Sequence, residues 1–203
     1  TLNTNVTISV SKADVENRCP VAVLMSGQEQ IGTVFKAKIS DKIFAYLTAS
    51  HSISLKKQQN FVVSYRCGDV FVTQKVLAAE KLTGVDVSIL RPAADIAEMP
   101  VFLDGKIYEA TDFDDRSVLI PNYSGLSDLD VNLKNEVLFS RGDFIVAKEN
   151  KIYFTANIIK PGASGAPILN KNRQIIGVVT GRFIEKNGVF SGVGYGVPIR
   201  QIF

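Results

Sequence analysis

Short apolar or alternating runs fill the first ninety positions of the chain, at residues 21–25, 32–39, 43–48, 61–65, 70–77 and 85–90. Clusters of Gly, Ser, Asp and Asn separate them. The segments FVVSY and VFVTQKV mix β-branched and aromatic residues with a period of two, as expected of strands with one face in a core. Residues 40–42 suit a hairpin tip between two such strands. Residues 91–99 are Ala-rich and bracketed by Pro92 and Pro100, each restricting the residue before it, so they read as a helical turn or a crossing linker. Beyond them a second series predicts strands at 101–103, 106–110, 117–120, 136–140, 144–147, 152–157, 166–169, 174–180 and 193–198, with turns of the GKN and KEN type between them. Residues 121–135 are polar and aperiodic, and read as a surface loop. No stretch keeps a 3.6-residue period over helical length. The chain is therefore all-β, a sandwich or barrels, with a division near residues 91–100.

Composition narrows the function classes. The 203 residues allow one ordinary domain or two small subdomains sharing a cleft, and 46% hydrophobic content excludes a disordered chain. A net charge of +3, from 23 basic and 20 acidic residues scattered along the sequence, favours neither nucleic acid nor membrane partners. No apolar run reaches the roughly 18–20 residues that span a bilayer. The start at Thr1, with no basic-then-apolar leader, predicts a soluble chain that is exported and processed or released from a larger polyprotein. Oligomeric state is left open. Cys19 and Cys67 are the two cysteines. Their pairing is not decided by spacing, and buried free thiols are the expectation. Neither they nor any other cluster predicts a metal or a cofactor.

Three segments carry candidate chemistry. His51, the one histidine, follows the apolar strand ending in Leu47-Thr48-Ala49-Ser50. Asp86 lies inside the apolar run Gly84-Val85-Asp86-Val87-Ser88-Ile89-Leu90, where an unpaired carboxylate is costly and so implies a dedicated partner, such as an imidazole N–H. Ser164 lies in Gly162-Ala163-Ser164-Gly165-Ala166-Pro167. Flanking glycines permit a tight turn that aims backbone N–H groups into one small space, as an oxyanion hole requires; Gly162 and Ser164 are the expected donors. Each segment alone has an ordinary structural explanation. Together they stand in the order His, Asp, Ser, separated by 35 and 78 residues, with the first two in one half and the serine in the other. That order differs from those of subtilisin and the α/β-hydrolases.

The chain resembles the chymotrypsin/trypsin superfamily, and within it most closely the HtrA-type protease domain. The similarity covers residues 30–90 and 150–200, and is most specific around the nucleophile segment, TANIIKPGASGAPILN. Gly32-Thr33-Val34-Phe35, Leu47 to His51, Val85 to Leu90, Gln174 to Val178 and Gly192 to Pro198 resemble the family's flanking strands. The resemblance implies two six-stranded antiparallel β-barrels packed face to face, residues 1–98 carrying His51 and Asp86 and residues 99–203 carrying Ser164. The active site would lie in the cleft between them. It implies a serine endopeptidase acting on protein or peptide substrates through a His51–Asp86–Ser164 triad. The alternative is an inactive, protease-like binding module.

Departures from the pattern are informative. Trypsin-like members carry Cys directly after the histidine; here Ser52 stands there. Ala163 replaces the acid that pairs with a freed N-terminus in zymogen-activated relatives, and Ala166 replaces a usual Gly. By resemblance, Ile158, Ile159, Thr180, Gly181 and Gly196 border the primary substrate pocket. Ile158 lies where trypsin-like pockets hold an acid, so a small or medium apolar P1 side chain is expected. A pocket histidine selecting Gln is excluded, because His51 is the one histidine.

Overall fold

A computed structural model describes residues 19–40, 43–54, 60–102, 115–123 and 137–203. The first barrel contains β1 (Ala22–Ser26), β2 (Glu29–Ser40), β3 (Ile43–Ala49), β4 (Phe61–Cys67), β5 (Val70–Lys81) and β6 (Val87–Pro92). They run in the order β1-β4-β5-β6-β3-β2, and β1 pairs with β2 to close the ring. A short strand, β7 (Val101–Phe102), adds parallel to β2. The second, closed barrel contains β8 (Ser117–Asn122), β9 (Leu138–Lys148), β10 (Lys151–Thr155), β11 (Pro167–Leu169), β12 (Ile175–Ile184) and β13 (Phe190–Pro198). Its order is β10-β13-β12-β11-β8-β9. The expected pair of six-stranded antiparallel barrels is present.

Alternation explains the strands. In β4, Phe61, Val63 and Tyr65 are buried while Val62 and Ser64 are only partly so. One core cluster gathers Phe35, Leu47, Val63 and Leu90 from the first barrel with Leu169, Val178, Val197 and Ile199 from the second. That shared cluster packs the barrels against each other. Burying each such side chain contributes about 1.5–3 kcal/mol. Phe144, Ile152, Phe154, Ile168 and Val179 form a separate core inside the second barrel.

Several sequence expectations change. The strands expected at 136–140 and 144–147 are one, β9, because Gly142 is not a break. A Cβ there would lie 1.7 Å from the Thr155 carbonyl oxygen, so glycine permits a close backbone approach inside the sheet. Pro121 and Asn122, expected in a loop, end β8. Residues 124–136, the strand expected at 106–110 and the hairpin tip at 41–42 lie outside the described residues. Ser40 pairs with Ile43, however, as a hairpin there requires.

The cysteines correct a second expectation. Cys19 and Cys67 are not free thiols but form a disulfide, with Cα atoms 5.5 Å apart. The cause is register. In the antiparallel β1–β4 pair Val23 opposes Ser64, so Cys19, ahead of β1, meets the end of β4.

The linker expected at 91–99 has no helix, and polar contacts pin it. Lys36, buried on β2, places Nζ 2.7 Å from Asp95 Oδ1 and 3.2 Å from the Ile96 carbonyl. The Tyr46 hydroxyl donates to Asp95 and accepts from Ile96 N–H at 2.8 Å. Burial pushes the Tyr46 hydroxyl well above its ordinary range, and the bond to Asp95 adds to this. For Asp95, partial burial acts upward, but hydrogen bonds from Lys36 and Tyr46 outweigh it and hold the carboxyl below its usual value.

Candidate active site

The strand β3 ends at Ala49 and the chain turns into a single helical turn, α1 (Ser50–Ser54), which carries His51. Ser54 Oγ caps the Ser50 carbonyl at 2.8 Å, and the Ser50 and Ser88 hydroxyls meet at 2.7 Å, tying α1 to β6. Asp86 sits in the bend just before β6 rather than within the strand. Its side chain is 38% exposed, so the expected burial does not hold. The paired acid is instead held by bonds. Asp86 Oδ1 accepts from His51 N–H at 2.9 Å, Oδ2 lies 2.6 Å from His51 Nδ1, and the Asp86 carbonyl accepts from Ser50 N–H at 3.2 Å.

An ionised carboxylate only accepts hydrogen bonds, so Nδ1 carries the ring proton of a neutral His51. Nε2 is then the basic nitrogen, and it lies 2.9 Å from Ser164 Oγ, whose hydroxyl donates to it. The structure thus brings His51, Asp86 and Ser164 into one chain of hydrogen bonds across the two barrels.

The segment around Ser164 is two linked turns. Ala163 N–H donates to the Lys160 carbonyl at 3.1 Å, with Pro161 second and Gly162 third at φ 98°. Ala166 N–H donates to the Ala163 carbonyl at 3.0 Å, with Ser164 second and Gly165 third at φ 92°. A positive φ at the third position defines a type II turn and favours glycine. This accounts for the three-residue spacing of Gly162 and Gly165. Gly165 is also confined sterically, since a Cβ would lie 2.3 Å from the Thr33 carbonyl oxygen. Ala166 has no positive φ, so its backbone does not require glycine. The N–H groups of Gly162 and Ser164 are not consumed by either turn.

Thr33, on β2, is a site residue that sequence reading passed over. Its N–H donates to the Ser164 carbonyl at 2.9 Å and its Oγ1 to the Gly162 carbonyl at 2.7 Å. The same Oγ1 accepts from Tyr123 N–H at 3.1 Å, and Thr48 Oγ1 donates to the Thr33 carbonyl at 2.9 Å. Its place in Gly32-Thr33-Val34-Phe35 was the available signal, but a threonine in a strand looks like any other.

The expected pocket residues divide. Ile158 is half-buried, and its carbonyl accepts from Ser140 Oγ. Ile159 turns its side chain into the second core and presents its carbonyl instead. Thr180 is buried. A Cβ on Gly181 would strike the Tyr195 ring, and one on Gly196 would strike the Val178 carbonyl, so both glycines serve strand packing. Ser52 is buried beside Gly32, its hydroxyl without a partner among the described residues. Among the described residues no group of three or more His, Cys, Asp or Glu side chains could hold a metal.

The two six-stranded antiparallel barrels form the chymotrypsin-like fold, which HtrA-type proteases share. No protein-family model and no curated protein matches the chain by sequence. Solved structures do match in fold. The HtrA-type protease AlgW, solved with a decapeptide, superposes with a TM-score of 0.68 at 15% identity over 95% of this chain. The serine endoprotease from Yersinia pestis superposes at 0.65, with 18% identity over 96%. This chain spans 65% of the length of each. The inactive form of a serine-to-alanine mutant of Rv3671c from M. tuberculosis H37Rv superposes at 0.61, with 16% identity over 100% of this chain and 91% of that one.

Proposed function

We propose that the chain is a serine endopeptidase, with Ser164 as nucleophile, His51 as general base and acid, and Asp86 as the group that orients His51. The observation that carries this reading is the continuous bonding from Asp86 Oδ2 through both imidazole nitrogens to Ser164 Oγ. Ser164 Oγ attacks the peptide carbonyl while its proton passes to Nε2. Asp86 stabilises the imidazolium, and the Gly162 and Ser164 N–H groups stabilise the oxyanion. His51 then protonates the leaving amine, the scissile C–N bond breaks, and water hydrolyses the acyl-enzyme by the reverse relay. A peptide in the cleft is the substrate class that best suits this arrangement, and AlgW's decapeptide complex supports it by analogy.

Fluorophosphonate labelling tests the reading. The chain should label at Ser164, and Ser164→Ala should fold normally while losing peptide hydrolysis by at least about 10⁴-fold. A folded chain that neither labels nor cleaves peptides would instead be a protease-like binding module.

A further inference from the structure

The strand β12 runs past the nucleophile, since Gly165 N–H donates to the Val179 carbonyl at 2.8 Å. Three residues further along, Arg182 stands opposite Gly194 of β13. Its Nη1 reaches across to the Ile159 carbonyl at 2.7 Å, on the segment that leads into the nucleophile turn. The residue that supplies a scissile carbonyl at Ser164 carries its side chain on the adjacent Cα. The space between Ile159 and β12, beside Ser164, can receive that side chain. Arg182 spans this space.

Its electrostatics are unusual. Arg182 is half-buried, and among the described residues its side chain bonds to a neutral carbonyl and pairs with no carboxylate. Below its cross-strand neighbour Gly194 lies the buried Phe154 ring, which a Cβ on Gly194 would approach to 2.6 Å. Lys160, the residue after Ile159, is a second half-buried base. A half-buried arginine with most of its five donors uncommitted among the described residues is incompletely compensated. The ligand that matches it is a planar carboxylate, which accepts two parallel N–H bonds.

We propose that Arg182 is the specificity-determining residue of the cleft and selects a substrate side chain bearing a carboxylate, Asp or Glu, on the acyl side of the scissile bond. This rests on the serine-endopeptidase reading and replaces the apolar preference expected from Ile158.

The test is a P1-varied peptide library on the full chain, with fluorophosphonate labelling of the same preparation. Peptides with P1 Glu or Asp should exceed their Gln, Asn, Ala and Leu counterparts in kcat/KM. Arg182→Leu should lower kcat/KM for the acidic peptides by about 100-fold, the scale of a close charge pair across an interface. Arg182→Lys, which keeps the charge, should retain the acidic preference, and Arg182→Glu should shift it toward Lys or Arg. A labelled wild-type chain without an acidic preference overturns the assignment of Arg182 and leaves the endopeptidase reading standing. So does an acidic preference that persists in a folded Arg182→Leu. A folded wild-type chain that is neither labelled nor active overturns both.

Discussion

Thr33 Oγ1 donates 2.7 Å to the carbonyl of Gly162, and so fixes the peptide unit lying between the two proposed oxyanion donors. The other end of that unit, Ala163 N–H, is bonded to the Lys160 carbonyl. A hydroxyl from the first barrel thereby holds the orientation of a turn in the second. Thr33→Val keeps shape and removes the donor, leaving the Gly162 carbonyl and Tyr123 N–H unpaired. With about 1–3 kcal/mol at stake per unsatisfied group, kcat should fall about 10- to 100-fold while KM changes little. Thr33→Ser should restore most of it. Steady-state kinetics on the three proteins checks this; an equal fall in Thr33→Ser would refute the role of the hydroxyl.

The Lys36–Asp95 pair sets an acid limit. Asp95 has a folded pKa below its unfolded value of about 3.9. Its contribution is therefore present above about pH 4 and is lost as pH falls through the folded pKa. Asp95→Asn leaves Lys36, 3% exposed, without its counter-charge, whereas Asp95 itself is half in water. A loss of about 2–3 kcal/mol at pH 7 is expected, below the full cost of breaking a wholly buried pair. Urea unfolding at pH 7 and pH 3 should show the difference between wild type and Asp95→Asn shrinking at the lower pH.

The Cys19–Cys67 bridge closes a loop with a sequence separation of 48 that runs from just before β1 to the end of β4. Chain-entropy reasoning gives it about 4 kcal/mol of stabilisation. Replacing both cysteines with serine should lower the denaturation midpoint accordingly, and added reductant should shift the wild-type chain but not the variant.

Gly32 and Ser52 offer a place for a second bridge. A Cβ on Gly32 would lie 3.4 Å from Ser52 Cβ, close to the roughly 3.5–4.5 Å usual across a disulfide. The double variant Gly32→Cys, Ser52→Cys should therefore oxidise spontaneously, giving no free thiol on titration after denaturation. The new Cβ would also come within 3.1 Å of the Ser164 carbonyl, so the gain should stay below about 3 kcal/mol.

Period-two segments such as 61–65 located strands because one face of each is buried, and that property is local. The Gly162–Gly165 spacing was legible for the same reason: each glycine supplies a positive φ inside its own turn. What escaped depends on partners distant in sequence. Gly142 looks like a break until Thr155 is seen beside it. Cys19 and Cys67 meet because β1 and β4 pair in one register. Arg182 is an ordinary base until its guanidinium is found on the Ile159 carbonyl. Asp86 was identified for partly mistaken physical reasons, since hydrogen bonds rather than burial tie it to His51.

The bond from Thr33 N–H to the Ser164 carbonyl gives the molecule a mechanical property. One barrel carries His51 and the other Ser164, so the proposed hydrolysis would depend on how the halves are seated. A ligand that tilts one barrel by an ångström would switch off turnover without approaching the serine. Halves expressed as separate fragments would make turnover a reporter of their reunion.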